Sequence, residues 1–229
     1  MIRALIWDVD GTLAETEEAH RQAFNHRFTA ARLDWAWDQP TYRRLLRVTG
    51  GKERMARFAE DIGQDMAPHV IAEIHAAKTN VYGNMIETGS ALLRPGVAAL
   101  IQAARAQGIR NAIATTTSRP NVDALILATL GEPADQVFDV IAAGDEVASK
   151  KPAPDVYLLA LRRLGLAPDD CVAIEDSLPG LAAAQAAGLR VLVTPSAYTR
   201  DEDFRTADWL LDDLTAPLPD PLAAVLARA

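Results

Sequence analysis

Cysteine is nearly absent from this sequence: Cys171 is the only one in 229 residues. A single cysteine closes no disulfide within the chain, so a reducing compartment, the cytoplasm, is the expected setting. Cys171 opens an apolar strand-like run and reads as core packing rather than as a nucleophile. Basic residues are in the minority, 23 against 31 acidic ones, and the formal net charge is −8. That balance argues against non-specific nucleic-acid binding. It permits an anionic substrate only if positive charge is gathered in one place. No apolar run approaches the roughly 20 residues needed to cross a bilayer, so no membrane partner is expected. The first residues also lack the charged, apolar and small-residue succession of a secretory signal.

What is present is a globular composition, 49% apolar and 24% charged, in a length that suits one large domain or a domain with an insert. ALIW (4–7) reads as a buried strand. From Glu15 to about Asn84 the apolar spacing is helical, with Ala19, Ala23, Phe24 and Phe28 in one stretch and Met55, Phe58, Ala59 and Ile62 in another. After LLRPG (92–96) the text alternates. Strands are predicted at 111–115, 138–143, 171–175 and 190–194, with a short one at 208–211. Helices are predicted at 97–107, from about Asn121, at 155–164 and at 178–187. The C-terminal segment reads as a turn and a short helix. Such alternation predicts an α/β fold with a doubly wound parallel sheet. The helical block becomes an insert, a small α-helical cap over residues 15–91, on a core formed by 1–14 and 92–229.

In an open parallel sheet, ligands bind beyond the carboxyl ends of the strands. Asp8, Asp10 and Gly11 follow the first strand here. Thr115, Thr116, Thr117 and Ser118 follow the second. Asp145, Lys150 and Lys151 follow the third, and Glu175, Asp176 and Ser177 follow the fourth. Two bare carboxylates 4 Å apart repel by about 4 kcal/mol at an effective dielectric near 20. A hard divalent cation bound through oxygen would offset that repulsion, and Mg²⁺ fits. Hydroxyls and free N–H groups at a helix start suit a phosphate, and a lysine adds fixed positive charge. Each piece alone also reads as a helix cap or a solvated turn. Four in order are much harder to explain that way.

DVDGT (8–12), TTTS (115–118), KP (151–152) and EDS (175–177) together resemble the four motifs of the haloacid dehalogenase-like phosphatases. The position of the insert is similar to the subgroup containing β-phosphoglucomutase and phosphoglycolate phosphatase. TGGKER (49–54), HAAKT (75–79), ATTTSRPN (114–121) and EDSLPG (175–180) resemble its CbbY-type branch, phosphatases of xylulose 1,5-bisphosphate. The resemblance implies that Asp8 attacks phosphorus and that Asp10 first protonates the leaving oxygen and then activates water. It implies that Thr115 and Lys151 hold the phosphoryl oxygens. It also implies that Asp8, the carbonyl of Asp10 and Asp176 bind Mg²⁺, with Glu175 helping through water. Lys150 and Lys151 are both in reach of a phosphate; adjacency to Pro152 favours Lys151 by the resemblance. Trp7 stands where the family usually has phenylalanine.

Lys52 and Arg54 fall in the first turn of a helix, after Gly50 and Gly51. Cations there oppose the helix dipole. Either a bound anion holds them, or they belong to a solvated basic face with Arg43, Arg44, Arg47 and Arg57. Lys78 poses the same choice. The resemblance favours a far phosphate at Gly50, Gly51, Lys52, Arg54, His75 and Lys78. It places Glu17 on sugar hydroxyls, and Thr115, Thr116, Thr117, Ser118 and Asn121 along the core side. His20 reads as a packed or surface helical histidine. The implied partner is a small phosphorylated sugar, and a monomer is the expectation for an enzyme of this type. A mutase-type phosphotransferase, a broad sugar-monophosphate phosphatase and a catalytically silent sugar-phosphate binder remain open from the motifs alone.

Overall fold

The computed structural model of the protein describes residues 2–226. Among these, six strands form one sheet in which every pairing is parallel: β1 (Ala4–Trp7), β2 (Arg110–Ala114), β3 (Val140–Ala142), β4 (Cys171–Glu175), β5 (Arg190–Val193) and β6 (Trp209–Leu210). Their spatial order is β3-β2-β1-β4-β5-β6. The winding therefore reverses beside β1, and β1 and β4 open the crevice where an α/β sheet binds its ligand.

Five helices come between β1 and β2; the first four, α1 (Glu17–Ala30), α2 (Gln39–Leu45), α3 (Gly51–Asp61) and α4 (Pro68–Glu87), form the helical insert. The rest alternate with strands: α5 (Val97–Ala106), α6 (Arg119–Leu130), α7 (Ala134–Val137), α8 (Asp155–Leu164), α9 (Leu178–Ala186) and α10 (Ala223–Leu226). Strand residues divide by parity, as a pleated strand covered on both faces requires. Leu5, Trp7, Ile113, Val172 and Ile174 pack with α5 and α6. Ala4, Ile6, Ala112, Cys171 and Ala173 pack with α8 and α9. Helices α1 to α4 carry a separate apolar cluster rich in aromatics, including Phe24, Phe28, Trp35, Trp37 and Tyr42.

The elements depart from the sequence reading mostly at their ends. The strand read at 138–143 shortens to β3, because 134–137 closes into α7 and Phe138 turns into the core. β2 stops at Ala114, which leaves Thr115 in the loop. Ile62, read with the buried stripe of α3, follows its last turn and is exposed. The short C-terminal helix is α10; residues 227–229 lie outside the described residues. Trp7 is buried, and its indole N–H donates to Asn111 Oδ1 at 2.9 Å, a bond that phenylalanine has no donor to make. Burial pushes the Cys171 thiol up to about 11, as suits a packed, inert residue.

The chain leaves β1 and returns before α5 along two segments that touch. Ala14 bridges Leu93 antiparallel, and Arg94 N–H donates to Leu13 O at 2.8 Å. The buried Arg94 guanidinium then donates to Gly11 O at 2.5 Å and to Thr194 O at 2.6 Å. It fixes the turn after β1 against the turn after β5.

Candidate active site

β1 delivers Asp8 to the sheet edge, where its N–H donates to Ile174 O of the neighbouring strand at 3.0 Å. The buried carboxylate accepts from Lys151 Nζ at 2.6 Å. The same ammonium reaches Glu175 Oε1 at 2.6 Å. Lys150 instead donates to Gly144 O at 2.6 Å, so Lys151 is the lysine that reaches the nest. Burial alone would lower Lys151; Asp8 and Glu175 outweigh it and hold it above its ordinary value. Glu175 is fully buried at the end of β4 and also accepts from the Tyr157 hydroxyl. Gly180 makes room for it, since a Cβ there would stand 2.0 Å from Glu175 Oε2.

Asp176 follows, and its carbonyl accepts from the Thr199 hydroxyl at 2.6 Å. Oxygens of Asp8, Glu175 and Asp176 all lie within 4.8 Å of one another. Burial pushes the Asp8 carboxyl up to about 7; Lys151 pulls it down and Glu175 pushes it further up. Asp176 is held well above the usual carboxylate range by burial and then by Asp8 and Glu175. Among the described residues no side chain forms an ion pair with it. Three buried carboxylates meet one lysine, which pairs with Asp8 and Glu175 alone, so this donor set of hard oxygens lacks positive charge. Such a set fits a hard divalent cation. Gly11, at φ +81°, closes the turn beside it; a Cβ there would lie 2.2 Å from Asp176 Oδ2.

Asp10 is turned away from that nest. Its Oδ1 accepts from the Thr16 hydroxyl at 2.5 Å and from His20 Nε2 at 3.0 Å, and its Oδ2 accepts from the Thr117 hydroxyl. Asp8 still feels the Asp10 charge, but less than it feels Lys151 and Glu175, and its near carboxylates are Glu175 and Asp176. Burial raises Asp10, but His20 and the two hydroxyls outweigh it and hold the carboxyl well below its usual range. His20 is lowered by burial and then by the Lys78 charge, against the pull of Asp10. The Lys78 amine lies at hydrogen-bond distance from Nδ1. An ionised Asp10 only accepts, so Nε2 carries the hydrogen given to it, and Nδ1 faces the Lys78 amine. The reading of His20 as mere packing is corrected: it is buried, stacked on Tyr82 at 3.9 Å, and bonded to Asp10.

Thr115, Thr116, Thr117, Ser118 and Asn121 continue the wall at the start of α6, and the Ser118 hydroxyl and Asn121 Oδ1 are buried without partners. Facing them across one cleft are Glu17, Gly50, Gly51, Lys52, Arg54, His75 and Lys78. Gly51 allows His75 to lie against the start of α3, where a Cβ would stand 2.3 Å from the ring nitrogen Nε2. Burial, Lys78 and Lys52 drop His75 to about 3. Lys78 is buried over the faces of Phe24 and Tyr82, and burial lowers it to about 7. Lys52 is half-exposed, 3.5 Å from Asp145 of the core. The candidate catalytic, substrate and metal residues named from the sequence all line this cleft except the fully buried Glu175, whereas Arg43 and Arg57 pair with Asp201 and Asp61 away from it. The sequence reading missed Thr16, Tyr42, Tyr157 and Thr199. Thr16 and His20 are one helical turn apart, a spacing that pointed to a shared target; the others carry no local signal.

The model of the haloacid dehalogenase-like hydrolase family matches residues 2–188. The chain belongs to this family. Within it the chain is a phosphatase, and its relatives are near ones. Protein CbbY of Rhodobacter capsulatus is 61% identical over 215 residues, 94% of this chain and 95% of that one. CbbY from Rhodobacter sphaeroides, solved with phosphate, is 57% identical at a TM-score of 0.91 and covers 94% of this chain and 96% of its own. An aspartate-to-asparagine variant of it, solved with xylulose 1,5-bisphosphate, is 56% identical at 0.92, covering 95% and 96%. Among the described residues no helix is long and apolar enough to cross a membrane.

Proposed function

We propose that the protein is a Mg²⁺-dependent sugar-bisphosphate phosphatase that converts xylulose 1,5-bisphosphate to xylulose 5-phosphate and inorganic phosphate. The observation that carries this reading is the two-ended cleft. Asp8, Lys151 and Asp176, with Glu175 buried beside them, line it from the core, and the cations Lys52, Arg54 and Lys78 line it from the helical insert. A substrate with two anionic ends matches it, and the near relative bound to the bisphosphate supports the match.

In this reading Asp8 attacks phosphorus, the P–O bond to the sugar breaks, and the leaving oxygen takes a proton from Asp10. Asp10 then takes a proton from water, whose oxygen displaces Asp8 and releases phosphate. With its three donors in place Asp10 is an ionised acceptor, the state in which it activates water. Lys151 and Thr115 would hold the phosphoryl oxygens. Asp8, the Asp10 carbonyl and Asp176 would hold Mg²⁺, with Glu175 behind them; bound there, the ion supplies positive charge between carboxylate and phosphate. Residues 15–91 would act as the cap and exclude water when closed.

The test is phosphate release, with and without Mg²⁺, from xylulose 1,5-bisphosphate, ribulose 1,5-bisphosphate, β-glucose 1-phosphate, phosphoglycolate and p-nitrophenyl phosphate, with Asp8→Asn as blank. Preference for the first, absent in the blank, supports the reading. Even turnover of monophosphates overturns the substrate, and conversion of β-glucose 1-phosphate without release moves the protein to the mutases.

A further inference from the structure

The chain Arg54–Tyr42–Glu17 runs from the basic start of α3 to the first residue of α1. Arg54 Nη1 donates to the Tyr42 hydroxyl at 3.0 Å, and that hydroxyl lies 2.7 Å from Glu17 Oε2. Arg54 Nε is anchored on Leu45 O at 3.3 Å, and its guanidinium lies over the Tyr42 ring at 5.1 Å. The ring is fully buried and wedged between Trp37 and Tyr198, at centroid distances of 5.9 and 5.7 Å. A phenol has one hydrogen, and arginine only donates. The hydrogen of Tyr42 therefore goes to Glu17, and the direction of the chain is fixed.

We propose that Tyr42 is a specificity-determining positioning residue, which holds Glu17 so that its other oxygen accepts from a hydroxyl of the substrate. The proposal rests on the sugar-phosphate reading above and deepens it. Glu17 lines the cleft with the cap-side cations and with Asp8 and Lys151. A carboxylate accepts hydrogen bonds from hydroxyls and repels phosphate. In a cleft with anion-binding groups at both ends, it selects a substrate whose middle carries free hydroxyls. Tyr42 occupies Oε2, and among the described residues no donor occupies Oε1, which leaves it as an acceptor for the substrate. Without the phenol, Glu17 loses its fixed rotamer, and a buried arginine N–H loses its acceptor.

The experiment is a kinetic cycle of wild type, Tyr42→Phe, Glu17→Gln and the double variant. It is run on the sugar phosphate that wild type prefers and on p-nitrophenyl phosphate, whose leaving group has no hydroxyl donors. Tyr42→Phe is expected to lower kcat/KM for the sugar by roughly ten- to a hundredfold, as expected for one strong hydrogen bond. The aryl ester should change less than about twofold. The double variant should lose clearly less than the product of the two single losses, because Tyr42 acts on the sugar chiefly through Glu17. Equal losses on both substrates, or additive losses on the sugar, overturn the proposal. If Tyr42→Phe does not fold, Glu17→Gln on the same pair decides, and equal losses again overturn it. The identity of the preferred sugar tests the function separately, so the two failures are distinguishable.

Discussion

The two ends of the cleft hold their charges in different ways. At the core end the ammonium of Lys151 is paired to two buried carboxylates at 2.6 Å. At the cap end only the half-exposed Lys52 meets a carboxylate, Asp145 at 3.5 Å, and the two buried cations rest on ring faces: Lys78 on Phe24 and Tyr82, and Arg54 on Tyr42. Among the described residues neither Lys78 nor Arg54 has a carboxylate partner. A ring stabilises a cation weakly and leaves its charge uncancelled, whereas a carboxylate cancels it. The core end is thus a fixed machine whose internal charges are matched, short of one cation. The cap end keeps positive charge available for an anion that arrives with the substrate.

The sharpest way to break this comparison is Lys151→Met. It leaves Asp8 and Glu175 facing each other in a buried site without their cation. Phosphate release should fall by at least about a hundredfold, and urea unfolding should show a loss of about 3–5 kcal/mol. Lys52→Ala probes the other end. It should lower kcat/KM for the bisphosphate by roughly ten- to a hundredfold, the scale of a charged hydrogen bond. A small monophosphate should stay within about twofold, and equal losses on both would remove the second anion site.

Lys78 tests whether the cap cation is held against its own interest. Its value of about 7 in the fold lies below the 10.5 of an unfolded lysine. Across that window the unfolded chain binds more protons, so this group makes wild-type stability rise with pH from 7 to 10.5; below 7 its burial penalty is carried in full. Lys78→Met removes the penalty together with the contact to His20. Its Tm relative to wild type should therefore improve as pH falls from 9 to 6, by about 2–4 °C for each kcal/mol relieved. A difference independent of pH would mean that the buried ammonium is not strained. The smallest effect is expected at Tyr198, on the core turn that touches the cap. Its hydroxyl donates to Glu18 Oε2 at 2.6 Å, and Arg43 beside it pairs with Asp201 at 3.2 Å. Tyr198→Phe removes one part-exposed bond and should raise KM by roughly two- to threefold with kcat unchanged, the scale of an exposed contact.

Legibility followed the same division. The core end could be read because each strand delivers its polar residues as a short contiguous word: Asp8 to Thr12, Thr115 to Ser118, Lys151 with Pro152, Glu175 to Ser177. The alternation of strands and helices then placed all four words on one edge. The cap end gave its cations, but not what they do. Tyr42 reads as one more aromatic in a helix, and only packing shows it between Arg54 and Glu17. Tyr157 and Thr199 were illegible for the same reason: each reaches Glu175 or Asp176 from a different element. Element ends moved by a residue or more where a cap or a core side chain outweighed propensity, as at Phe138 and Thr115.

The sequence by itself determined the parallel sheet, its helical insert, the edge where the acids gather and the family to which the chain belongs. These follow from local periodicity and from contiguous motifs, which need no knowledge of distant partners. Only the tertiary structure decided that Asp10 diverges from Asp8 to meet Thr16, His20 and Thr117, that Lys151 rather than Lys150 enters the nest, and that Arg54 reaches Glu17 through Tyr42. Direction of a side chain is set by what surrounds it. Those surroundings come from segments six to more than a hundred residues away, brought together when the sheet and the helical insert close over their apolar cores.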